Sequence, residues 1–319
     1  MTDLLVFREQ LKKFYSKYEL YLTPVFKFLL ALVTLVMINS SIGYMSELKK
    51  TAVVLVLALM CSFLPMNFIV AAAAAVTLGH LYKFSMECAL IMLVVFLLLF
   101  ILYFRFSPKD TIAVLLTPLS FILKMPYVMP IAVGLAGTPF SAVSVASGTI
   151  VYYTISYMVE SASILNTFEE DGALEKFRYV IDGMLGNKTM YVTLAAFVGT
   201  LLIVYFIRRL SVDYAWTIAI ITGALLDVLV FLFGDLMYNT KLSIAGLIIG
   251  SVVSVILAKI LEFFVFNVDY SRTEYVQFED DEYYYYVKAV PKNTVAAPQK
   301  RVKTIRVPEK AVREQKRDR

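Results

Sequence analysis

Apolar residues in this chain come in long runs, and several of the connections between them shrink to one or two polar residues. A bilayer core needs about twenty apolar residues per helix, with about seventeen as a lower limit. Residues 25–44 meet that length and lead through a short loop to Lys50. Residues 51–64 form a shorter apolar run, broken by Pro65, and residues 66–81 form another that includes five consecutive alanines. The two read either as thin, tilted helices or as halves of a re-entrant hairpin. Residues 88–104 carry no charge at any position and are the clearest span.

A polar break, RFSPKD, follows at 105–110, then an apolar run at 111–123 that holds Pro118 and stops at Lys124. The section 125–148 is rich in proline, glycine and small residues. Pro126, Pro130 and Pro139 each remove a helix hydrogen bond, and Gly134 and Gly137 loosen the backbone. This predicts a short helix to about Ala136, a break at 137–139 and a longer helix over 140–160. Residues 165–188 read as the only long internal polar loop, with Glu169, Glu170, Asp171, Glu175 and Asp182 against Lys176, Arg178 and Lys188. Three more spans are expected at 189–207, 215–238 and 242–266, followed by a polar tail.

The organisation is therefore a 1–24 segment, a first membrane part at 25–164 with broken helices, an acidic extracytoplasmic loop at 165–188, and a three-helix part at 189–266. Beyond these come a Tyr-rich acidic segment at 267–291 and a basic, disordered tail at 292–319. The class is an all-α polytopic integral membrane protein with about 8–10 transmembrane helices, some short or broken. Composition agrees: 60% of residues are hydrophobic and 17% charged, with a mean hydropathy of +0.73. A soluble domain is about half apolar and a quarter charged.

Charge sets the orientation, because Lys and Arg accumulate on the cytoplasmic side. The N-terminal segment, the RFSPKD break, Arg208–Arg209 and the tail fall on that side if each short segment is one crossing. The acidic 165–188 loop falls on the other, and Lys49 and Lys50 are the exception. If the short pairs are re-entrant, the count drops by even numbers, so both termini stay cytoplasmic. The opening residues do not read as a cleaved signal peptide. Arg8, Lys12, Lys13 and Lys17 among Leu4, Phe7, Leu11 and Phe14 suggest a basic amphipathic helix on the membrane surface, or an ordinary solvated helix start. The short loops point to a bacterial cytoplasmic membrane.

Chemistry is sparse. Cys61 and Cys88 sit in apolar runs and suit packing, not a disulfide or zinc site. The single histidine, His80, leaves no His cluster, so no metal or other cofactor is expected. No P-loop, GxSxG, HExxH or CxxC motif is present, which argues against an enzyme.

The broken section is the strongest functional candidate, because non-helical backbone at membrane depth is tolerated only inside protein or along a cavity. Thr138, Ser141 and Ser144 add hydroxyls there, and the Pro65 break with Asn67 beside it has a similar character. Close packing through small residues is the plainer account. Asp227 is the sharpest single residue, with ten uncharged residues before it and seven after. Such a carboxylate usually faces a bundle interior or a water-filled cavity. Asp235, about 12 Å further along the axis, completes a candidate proton or cation path; the bland alternative is a protonated or helix-bonded Asp227 with Asp235 at the interface. Gly246, Gly250 and Ser254 repeat at four-residue spacing and would let another helix, or another copy of the chain, approach closely.

Two functions are open. One is a secondary transporter or permease for an unidentified solute, coupled to a proton or cation. The other is a membrane scaffold or assembly subunit that recruits a partner. Residues 274–290 (EYVQFEDDEYYYYVKAV) would form a hairpin or partner-pairing strand, and 292–319, with ten Lys and Arg, would bind anionic lipid headgroups. Nucleic acid is disfavoured, since nothing beyond Lys292 can stack on a base.

Overall fold

The computed structural model describes residues 2–168, 173–240, 243–265, 274–279 and 284–289. The expected tail at 292–319 lies outside the described residues. The fold is that of an all-α polytopic membrane protein: seven helices are long and apolar enough to cross a bilayer among the described residues, and two shorter apolar helices accompany them.

Helix α1 (Thr2–Ser41) runs through the boundary expected at residue 24. Pro24 lies inside it, and the backbone leaves helical values at Tyr18. Pro24 cannot donate to the carbonyl four residues earlier, a common cause of bends. Its own carbonyl accepts from Ser62 Oγ at 2.8 Å. Next come α2 (Ser46–Lys49), α3 (Thr51–Phe63), α4 (Asn67–Phe84) and α5 (Met86–Phe106). Lys27 Nζ on α1 donates to the Leu64 carbonyl at 3.1 Å, which ties the Pro65 turn to the Pro24 level. At the opposite end His80 joins α4 to the loop after α1: Nδ1 accepts from the Met45 amide at 3.1 Å, and Nε2 meets Asn39 Oδ1 at 2.6 Å. Helices α3 and α4 therefore connect the two ends of the bundle and do not turn back halfway.

Helices α6 (Thr111–Ile122), α7 (Val128–Ala136) and α8 (Ser141–Glu160) follow, close to the boundaries expected from sequence. At 1.5 Å per residue α6 is about 18 Å long and α7 about 14 Å, both well short of a 30 Å core. They form a hairpin whose two ends share one end of the bundle. Asp110, just before α6, donates its amide to the Ser107 carbonyl, and Ser144 near the start of α8 bonds the Ser107 hydroxyl. The far end of α6 stacks Phe121 on Tyr152 of α8 at 4.3 Å. Pro130 and Gly134 were expected to break the chain here and do not. Pro130 stands in the first turn of α7, where the amide has no helical partner to lose. A Cβ on Gly134 would sit 3.0 Å from the Leu201 carbonyl, so glycine there permits close packing.

The 165–188 loop is not a loop throughout. It contains α10 (Ala173–Leu185), preceded by α9 (Ala162–Leu165). Phe177, Val180 and Met184 fall at i, i+3 and i+7, and Val180 is fully buried with Leu165, Cys88, Met158 and Ile42. The charge count over this stretch concealed that stripe. Helices α11 (Lys188–Arg208), α12 (Ala215–Tyr238) and α13 (Ile244–Val265) complete the bundle. Tyr153 of α8 meets Thr193 of α11 at 2.8 Å, and α7 packs against all three of these helices.

Among the described residues, 14–265 belong to one compact unit, and residues 2–13 with the two strands belong to a second. In the second, strands β1 (Glu274–Glu279) and β2 (Tyr284–Ala289) pair antiparallel with Glu274 opposite Ala289, which is the hairpin form of the two alternatives.

Candidate functional site

The break between α7 and α8 is where backbone groups come free. The Thr138 amide donates to Ser141 Oγ at 2.9 Å, and the two hydroxyl oxygens lie 3.3 Å apart. Ser141 thus closes the turn locally, as short hydroxyl side chains do. The carbonyl of Gly137 accepts from Arg208 Nη2 at 2.5 Å, reaching in from the end of α11. The same guanidinium lies over the rings of Tyr205 and Trp216, at 5.0 and 5.9 Å. A cation whose donors fill a freed carbonyl and whose face rests on aromatics makes the break a held joint.

Asn67 and Ser144 belong to a neighbouring polar cluster at the 105–110 turn. Asn67 Oδ1 accepts from the Tyr103 hydroxyl at 2.9 Å and from the Thr111 hydroxyl. Ser107 and Ser144 oxygens are 2.6 Å apart and both residues are buried. Through these bonds the Pro65 turn, the RFSPKD turn and the start of α8 are fastened together. Asn67, Thr138, Ser141 and Ser144 therefore all lie toward the Arg208 end of the bundle.

Asp227 stands apart from them. It is fully buried in α12; Thr200 of α11 donates to its Oδ1 at 2.7 Å, and its Oδ2 has no hydrogen-bond partner among the described residues. One turn before it, a Cβ on Gly223 would lie 3.4 Å from Thr200 Cγ2 and 3.5 Å from Ile131 Cγ1 of α7. The half-helix α7 is thus packed beside the turn that precedes the carboxyl. Asp235 does not share this site: it is about 12 Å away along the helix axis and accepts from Thr240 Oγ1 at 2.8 Å. Among the remaining sequence-marked positions, Pro65 and Pro126 occupy the α3–α4 and α6–α7 turns, and Pro139 lies within the break.

No protein family, curated protein or solved structure matches this chain. The chemistry of the site itself is what speaks. No group of three or more His, Cys, Asp or Glu side chains is placed to hold a metal among the described residues.

Sequence reasoning missed three participants. Arg208 was read only for orientation, although its position at a span end gives no hint of a carbonyl 71 residues earlier. Thr200 lies in an uncharged span with no spacing that ties it to Asp227. Tyr103 looked like one more aromatic at the end of a span.

Proposed function

We propose that this protein is a secondary transporter or permease in which Asp227 carries a proton or a monovalent cation. The observation that supports this is the carboxyl itself. An ionised Asp227 would have one hydroxyl donor and no counter-cation among the described residues, and an uncompensated buried charge costs several kcal/mol. Binding a proton or a cation offsets that cost, and releasing it restores it. The broken α7–α8 segment, held by Arg208, supplies the adjoining element that changes position. By the distribution of Lys and Arg, the Arg208 end faces the cytoplasm of a bacterial cell.

The test begins with water access. In a Cys61→Ala/Cys88→Ala background, single cysteines replace Thr138, Ser144 and Asp227, and an impermeant thiol reagent is applied from each side. Labelling at Asp227, midway along α12, is expected beyond that at Thr138 and Ser144 near the Arg208 end, together with proton or cation movement in proteoliposomes that Asp227→Asn abolishes and removal of residues 292–319 does not. Complete protection from both sides would mean a dry bundle and end this reading.

A scaffold role has one observation in its favour. Strand β2 leaves Tyr284 and Tyr286 exposed at 69% and 77%, a surface suited to a protein partner. A partner captured only by chains that keep residues 267–319, with no flux in any variant, would favour it.

A further inference from the structure

A cavity of about 530 Å³ lies between α1, α4, α5, α6 and α8, and no residue of α11, α12 or α13 lines it. Its wall is apolar, from Val70 and Ala74 through Phe96 and Leu99 to Val151. Three hydroxyls along that wall are turned into their own helices, and the Tyr103 hydroxyl is bonded to Asn67. Thr34 donates to the Leu30 carbonyl at 2.7 Å, Thr77 to Ala73 at 2.8 Å and Ser147 to Val143 at 2.7 Å. A space walled this way does not hold water well, and its volume is that of a ligand pocket.

The charged lining is confined to one end, opposite Arg208. Lys124 comes from the α6–α7 turn, Glu160 is the last residue of α8, and Ser41 is the last of α1. Ser156 Oγ donates to Glu160 Oε1 at 3.0 Å. Neither Lys124 nor Glu160 enters an ion pair among the described residues.

Lys124 is there against the preference of its own backbone. The end of α6 is a Schellman motif: the Met125 amide donates to the Ser120 carbonyl at 2.8 Å and the Lys124 amide to Phe121 at 3.0 Å. Lys124 is the residue with φ of 58°, a place that glycine fills most easily and a Cβ makes about 1 kcal/mol worse. A strained residue that brings a charge to the rim of a cavity is an outlier that points to a ligand.

We infer that this cavity takes one acyl chain of a single bound zwitterionic phospholipid, whose second chain stays in the surrounding bilayer. The enclosed chain lies along the apolar wall, the phosphate meets Lys124 and the amine meets Glu160. Two opposite charges at one end, with the rest of the lining uncharged, select a head group that bears both. The site is separate from Asp227 and holds its ligand whether or not an ion moves there.

The experiment uses the full chain in nanodiscs of phosphatidylethanolamine, phosphatidylglycerol and diacylglycerol in equal parts, released for native mass spectrometry. One retained phosphatidylethanolamine per chain is expected. Lys124→Gly relieves the turn and so keeps the fold, yet it should lower retention about tenfold, while Val151→Trp fills the wall and expels the lipid. Retention in proportion to the bulk mixture, preference for phosphatidylglycerol, or undiminished retention in Lys124→Gly would overturn the assignment.

Discussion

Thr200 donates its hydroxyl to Asp227 Oδ1 across 2.7 Å, the one hydrogen bond to that carboxyl among the described residues. Thr200→Val keeps the side-chain shape and removes the donor. It should lower stability by about 1–3 kcal/mol, read as a fall in melting temperature in mild detergent. In an Asp227→Leu background, where no carboxyl remains, the same change should cost much less. Equal losses in both backgrounds would show that the two residues do not act as a pair.

Arg208 can be tested through the chain's single tryptophan. Arg208→Ala strands the Gly137 carbonyl and uncovers the Trp216 ring, for a loss of about 1–3 kcal/mol and a shift in tryptophan emission. Arg208→Lys should recover less than half of that stability, because an ammonium lacks the planar fork that serves the carbonyl and the rings together. Unchanged emission in both variants would separate Trp216 from the joint.

His80 is fully engaged between α1 and α4. With Nδ1 accepting the Met45 amide, the ring proton sits on Nε2 and is donated to Asn39 Oδ1. Asn39 in turn donates to the Leu48 carbonyl at 2.9 Å. His80→Leu should therefore destabilise by about 2–3 kcal/mol and speed hydrogen exchange at the Met45 amide. Exchange there that stays slow would mean the loop is held by other contacts.

Gly250 receives the ring of Tyr127, and a Cβ at that position would come within 2.6 Å of Tyr127 Cδ2. Gly250→Val should cost about 1–3 kcal/mol through overpacking, and Tyr127→Ala in the same chain should restore part of it. Gly246→Ala on the same face has only Ser243 nearby among the described residues, at 3.4 Å, and is expected not to lower the melting temperature.

These sites were legible in the sequence to unequal degrees. Helix ends set by proline or glycine in an apolar run could be read closely: the 137–139 break and the start at Thr111 fall where expected. Asp227 announced itself because a charge in an apolar run has few structural excuses. Helix α10 did not, since eight charges over 165–188 hid a stripe only a few residues long. The four-residue repeat Gly246, Gly250, Ser254 named a packing face, but only Gly250 takes a neighbour's ring; Ser254 bonds its own Gly250 carbonyl at 2.7 Å. Lys124 gave no signal, because a left-handed backbone at a lysine is decided by the turn around it. Partners that meet across the bundle, such as Thr200 with Asp227, leave no spacing to read.

The α6–α7 hairpin enters and leaves at one face of the bundle, so the covalent chain grips it from that face alone. At its far end the hairpin is held, among the described residues, by packing alone, Phe121 against Tyr152 of α8 and Tyr127 against Gly250 of α13. Loosening that packing would leave the hairpin fastened only at the Ser107 and Gly137 anchors, beside the Arg208 guanidinium.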